Sequence, residues 1–169
     1  NPQVPLYIYL LSHNLGDKFL LEKSGNQEKY LSPQLLDTWL DALPEGTPVT
    51  VVIEACYSGN FISRNGTPTA LVGENRTIIV SARGDRQSKI ARSSSFSRTF
   101  FSYIESNKPV GEAFDQTVRR MEKMQYHRGQ HPEMDSNGDG NVNQPEDYAL
   151  LRERYLPADL ISLANPPEL

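Results

Sequence analysis

The chain has 169 residues, 37% hydrophobic and 22% charged, with a formal net charge of −4 and a pI near 5.4. This balance fits one globular domain and excludes the basic stripe by which nucleic-acid binders meet phosphate, since Lys and Arg are scattered. No apolar run approaches the roughly 20 residues of a membrane helix, so no membrane span is expected.

Leu6-Tyr7-Ile8-Tyr9-Leu10-Leu11 predicts a buried strand ending at Ser12-His13-Asn14. Phe19-Leu20-Leu21 predicts a short second strand after a Gly-Asp turn. Ser32-Pro33 predicts a helix start, with Ser as N-cap and Pro in the first helical position. Leu35, Leu36, Trp39, Leu40 and Leu43 then recur at helical spacing, and Pro44-Glu45-Gly46 ends the helix. Val49-Thr50-Val51-Val52-Ile53, closing on Glu54, predicts a buried strand, and Thr77-Ile78-Ile79-Val80-Ser81 a third. The polar stretches 57–76 and 83–95 predict loops, the second carrying Arg83, Arg86, Lys89 and Arg92. Helices are predicted over 97–107, with Phe100, Phe101 and Ile104 inward, and over 110–125, with Ala113, Phe114, Val118 and Met121 inward. The order points to an α/β fold with a mostly parallel sheet. Residues 1–156 form the expected domain, and the Pro-containing 157–169 a tail or linker.

Cys56 is the only cysteine, so it cannot form an intramolecular disulfide. It follows the strand that ends at Glu54, on the sheet edge where open α/β folds bind ligands. A lone strand-end thiol is more often packing than chemistry. A cysteine nucleophile needs an imidazole to handle its proton and N–H groups aimed at the developing oxyanion. His13 alone of three histidines also ends a strand. If those strands are neighbours, about 5 Å apart, both side chains emerge on one edge. Ser58-Gly59 behind the cysteine favours the chemical reading. His127 and His131 are four apart, but Gly129 and Pro132 argue against the helix such a metal pair needs.

Tyr7-Ile8-Tyr9-Leu10-Leu11-Ser12-His13 and Glu54-Ala55-Cys56-Tyr57-Ser58-Gly59 resemble the legumain-type, caspase-like cysteine peptidases, bacterial members included. The likeness continues through 95–101, 110–114 and 130–140 and covers most of 6–148. It implies a caspase-like sheet flanked by helices, hydrolysis of peptide bonds in a peptide or protein substrate, and no organic cofactor. It implies Cys56 as nucleophile, His13 as acid/base, and the backbone N–H groups of Cys56 and Asn14 as oxyanion donors. Glu54 would help line the pocket for the residue before the cut, and Ser88 would be a second pocket residue. Glu54 could serve a small polar side chain, Asn or Asp, or a basic one. The family usually has Gly after the catalytic His, where this chain has Asn14. The chain also starts at the His strand, so two β-α units would be absent, replaced, or carried on an N-terminal fragment of the same protein. The resemblance favours a bacterial periplasmic or extracellular setting.

Residues 135–146 fit a twelve-residue calcium loop. Asp135, Asn137, Asp139, the backbone carbonyl of Asn141, Asn143 and Glu146 supply oxygens, with Gly140 at the sharp turn. Residues 146–155 can form the following helix, whereas 125–134 is broken by Gly and Pro. A single dockerin-like loop holding a structural Ca²⁺ is expected, as an insertion in the peptidase domain. The rival to an endopeptidase is a non-catalytic, caspase-like module that binds calcium and a partner within a larger protein.

Overall fold

A computed structural model describes residues 4–91 and 94–157. β1 (Leu6–Leu11) leads into an antiparallel meander of β2 (Asn14–Leu15), β3 (Lys18–Ser24) and β4 (Gln27–Leu31). α1 (Pro33–Leu40) and β5 (Val49–Glu54) follow, then a 3-10 turn at Ser58–Phe61. A small hairpin of β6 (Ser63–Arg64) and β7 (Thr67–Pro68) precedes β8 (Arg76–Val80). α2 (Phe96–Glu105), α3 (Val110–Lys123), β9 (Glu133–Asp135) and α4 (Pro145–Leu150) complete the order. The expected tail beyond Pro157 and Arg92 of the basic loop lie outside the described residues.

The main sheet runs β1-β5-β8-β9, with the first three strands parallel and β9 antiparallel on the edge. The fold is therefore α/β with a mixed, mostly parallel sheet. All six residues of β5 are buried, as expected of a central parallel strand covered on both faces. Alternation divides its side chains. Val49, Val51 and Ile53 join Leu36 and Leu40 of α1, Phe19 and Leu31 of the meander, and Phe61, Ile62 and Leu71. Val52 joins Ile79 and the helical layer of Phe96, Phe100, Phe101, Ala113, Phe114 and Met121.

Ser32 caps α1 as its sequence predicts, with Oγ accepting from the Leu35 N–H. The helix lasts only two turns, so a stripe of two residues, Leu36 and Leu40, faces the core. Leu35 and Trp39 point outward instead, and Leu43 packs on the same core from beyond the helix. Arg76 of β8 pairs with Asp37 and Asp41 at 2.6 Å each, fastening α1 to the sheet. Residues 57–76 are more than a polar loop, because Phe61, Ile62 and Leu71 are fully buried there.

Gly59 marks a close approach of two segments. A Cβ added there would lie 2.5 Å from the Gly84 nitrogen and 3.0 Å from the Arg83 carbonyl carbon. Backbone cannot swing aside as a side-chain tip can. Gly59→Ala is expected to destabilise the fold by about 2–3 kcal/mol, read as a lower urea midpoint. An unchanged midpoint would mean that the two segments do not meet so closely.

Candidate active site

β5 ends in a sharp reversal. Tyr57 sits in the left-handed region at φ 57°, a conformation that costs a bulky residue about 1–2 kcal/mol. It is held by its neighbours: the Tyr57 N–H donates to Arg86 O (2.7 Å), and the Gly59 N–H donates to Ala82 O (2.8 Å). Cys56 stands at this bend, half-buried.

His13 reaches the same place from the adjacent strand. Leu11 of β1 is in register with Glu54 of β5, and His13 and Cys56 each lie two positions beyond that pair. Both residues line the same two clefts. One cleft, of about 520 Å³, runs between the bend and the meander, past Leu15, Lys18, Tyr30 and Gln87. The other, of about 430 Å³, opens toward Leu11, Ser12, Ala55, Ser88 and Ile90.

Asn14 ties the two strand ends together. It is buried, and its Nδ2 donates to Cys56 O and to Gly16 O, both at 2.8 Å. Its Oδ1 is buried without a partner among the described residues, an unfavourable feature for stability alone. Asn14 faces Phe19 in the β2–β3 ladder, and the flanking Leu20 N–H donates to His13 O. Such a pairing is of the non-hydrogen-bonded kind, so the Asn14 N–H points away from β3, on the open side of edge strand β2. Among the described residues, the Cys56 N–H likewise has no acceptor.

Ser88 lines the second cleft. Its carbonyl is 3.6 Å from Cys56 Sγ and accepts from the thiol. Its Oγ accepts from Ser81 Oγ at 2.8 Å and from Gln130 Nε2 at 3.2 Å. Gln130 also donates to Ser81 O (2.8 Å) and accepts from the Lys89 N–H (3.0 Å). His127 is buried, with Nδ1 3.2 Å from Gln130 Oε1 and Nε2 2.9 Å from Ser94 Oγ. This polar clamp fixes the wall of the cleft. Sequence reading missed it because His127 and Gln130 are 33 to 49 residues from the partners they join at Ser81, Ser88, Lys89 and Ser94. His131 is exposed at φ 53°, while His127 is spent in the clamp.

Glu54 departs from expectation. It lines neither cleft and is fully buried. It shares the parity of Val52, whose face is covered by α2. Its carboxylate accepts from the Phe96 N–H (2.9 Å) and the Ser97 N–H (3.1 Å), and from Ser97 Oγ. It thus closes the first turn of α2, beside the N-cap Ser95. Tyr9 Oη donates to Ser97 Oγ at 2.8 Å, and burial pushes the Tyr9 hydroxyl up to about 12, so it stays a donor.

The loop at 135–146 curls around its own side chains. Asp135 accepts from the Gly138 and Gly140 N–H groups at 2.8 and 2.7 Å. Asn137 accepts from the Asp139 N–H (3.1 Å), and Asp139 from the Asn141 N–H (2.7 Å). The Asn141 bond holds Asp139 below the usual carboxylate range, while burial pushes Asp135 up. Gly140 is left-handed at φ 76°, as the sharp turn requires, and a Cβ there would meet Pro68 Cγ at 2.5 Å. One expected ligand is engaged elsewhere. Asn143 spends its amide on Met134 N and Pro132 O, bracing β9. Glu146 is exposed, and its neighbour Asp147 is buried instead, accepting from the Ser136 and Gln144 N–H groups at 2.7 and 2.9 Å. Calcium takes oxygen ligands, which the side chains of Asp135, Asn137 and Asp139 carry. Among the described residues, no three of His, Cys, Asp and Glu converge as a metal cluster.

No family model and no curated protein matches the chain.

Proposed function

We propose that the chain is a legumain-like cysteine endopeptidase, with Cys56 as nucleophile and His13 as acid/base. The observation that carries this reading is the register: His13 and Cys56 lie two residues beyond a paired position on adjacent parallel strands and line the same clefts. Cys56 Sγ attacks the scissile carbonyl, and His13 passes the proton to the leaving amine. The thioester is then hydrolysed by water. The Cys56 and Asn14 N–H groups are the donors available to the oxyanion. A thiol-directed peptide probe tests the reading. It labels wild-type protein and spares Cys56→Ala; an unlabelled wild-type protein removes the proposal.

The loop at 135–146 serves as a structural Ca²⁺ site in this reading. Among the described residues, no Lys or Arg pairs with Asp135, Asp139, Glu146 or Asp147, so a cation would relieve their mutual repulsion. Bound calcium would be held by Asp135, Asn137, Asp139 and the Asn141 carbonyl. Millimolar Ca²⁺ is expected to raise Tm by several degrees, and Asp139→Ala to abolish the rise. Identical melts with and without Ca²⁺ in wild-type protein would eliminate the site.

A further inference from the structure

The second cleft carries information about what is cut. Leu11 and Ile90 both line it with Cys56 and are 50% and 56% exposed, so two large apolar side chains share one cleft wall with the thiol. Ala55, Ser12 and Ser88 complete the walls beside His13 and Cys56, so among the described residues the lining holds no carboxylate, Lys or Arg.

Glu54, Asp85 and Lys89, charged residues on the segments that carry this second cleft, are committed elsewhere. Glu54 is buried under α2. Asp85 pairs with Arg83 at 2.7 Å and with Arg86 at 3.5 Å. Lys89 Nζ lies 5.5 Å from the centre of the Tyr126 ring. The Ser88–Ile90 wall is also braced, by Ser81 and Gln130, so it presents a formed surface rather than a slack loop.

Ser88 O is 3.6 Å from Sγ, so the cleft begins within one side chain's reach of the attacked carbonyl. A basic side chain entering it would lose water and meet no carboxylate among the described residues, whereas an aliphatic one would cover Leu11 and Ile90. Resting on the peptidase reading above, we infer that this cleft selects an uncharged, apolar side chain on the residue whose carbonyl Cys56 attacks. The basic, Asn or Asp pockets that a cleft-facing Glu54 would have served are replaced by an aliphatic one.

Three peptidyl chloromethyl ketones test this, identical except for Leu, Arg or Asp at that residue. Sγ displaces chloride and forms a thioether, and mass spectrometry follows labelling of Cys56. The Leu probe is expected to react at least about tenfold faster than the others, and Ile90→Asp to shift the preference toward Arg. Arg or Asp reacting as fast as Leu overturns the inference while leaving the peptidase reading standing. If no probe reacts, the peptidase reading fails and the cleft is read alone, by NMR titration of Cys56→Ala. N-acetyl-leucine methylamide must then shift Ala55 and Ile90 resonances at lower concentration than the arginine analogue. Equal or reversed affinities overturn the inference.

Discussion

Cys56→Ala is expected to abolish hydrolysis of a fluorogenic peptide pool, and His13→Ala to lower kcat/KM by at least about 10³-fold. The thiol forms the covalent intermediate, so its loss removes the reaction path and not only its rate. The imidazole removes one proton and supplies another, so its loss acts on the same path. The double variant is therefore expected to be no worse than Cys56→Ala, because groups acting as one unit lose their effect together. Neither change should unfold the protein: His13 is exposed and Cys56 is only half-buried. A thermal midpoint within about 2 °C of wild type would separate lost chemistry from lost fold. Wild-type turnover by Cys56→Ala would sink Cys56 as the nucleophile, whereas no turnover by the wild-type protein would favour a non-catalytic calcium-binding interaction module. The strained Tyr57 and the unpaired Asn14 Oδ1 sit beside the proposed dyad, as expected if stability has been given up for geometry there.

Glu54→Leu is expected to cost about 3–5 kcal/mol of stability. Its carboxylate serves the Phe96 N–H, the Ser97 N–H and the Ser97 hydroxyl, all in the buried first turn of α2. An apolar replacement fills the volume but leaves those donors without water or acceptor. It also removes a negative charge from a helix N-terminus. Glu54→Gln keeps one acceptor oxygen and turns an amide N–H₂ toward the donors, so an intermediate cost of about 1–3 kcal/mol is expected. Urea unfolding measures both. The residue preference of cleavage should not change in Glu54→Gln, since Glu54 lines neither cleft. Altered preference at wild-type stability would return Glu54 to the substrate pocket that the resemblance implies.

Cys56, His13 and Glu54 show how unevenly the site was legible. Cys56 and His13 could be found because each follows an apolar run whose strand character is local, and both strands prove to be neighbours in register. Glu54 is two residues from Cys56, yet its place depended on which face α2 covers. Its parity with Val52 was visible in the sequence; the helix above Val52 was not. The calcium-like loop was legible as spacing, and its left-handed Gly140 agrees. The departure of Asn143 came from partners outside the pattern, Met134 and Pro132.

The sequence by itself determined the three parallel core strands, the cap of α1, and the cysteine and histidine at strand ends. Those features follow from periodicity and capping within a few residues. Only the tertiary structure decided the rest. β9 has three residues and is a strand because β8 offers it an edge. The Ser94–His127–Gln130–Ser88 clamp joins residues far apart in the chain. Asn14 acquires its role from the carbonyl of Cys56, 42 positions away. The apolar cleft depends on where Glu54, Asp85 and Lys89 turn. Local pattern sets which backbone conformations are favourable, while burial and long-range hydrogen bonds set which side chains meet.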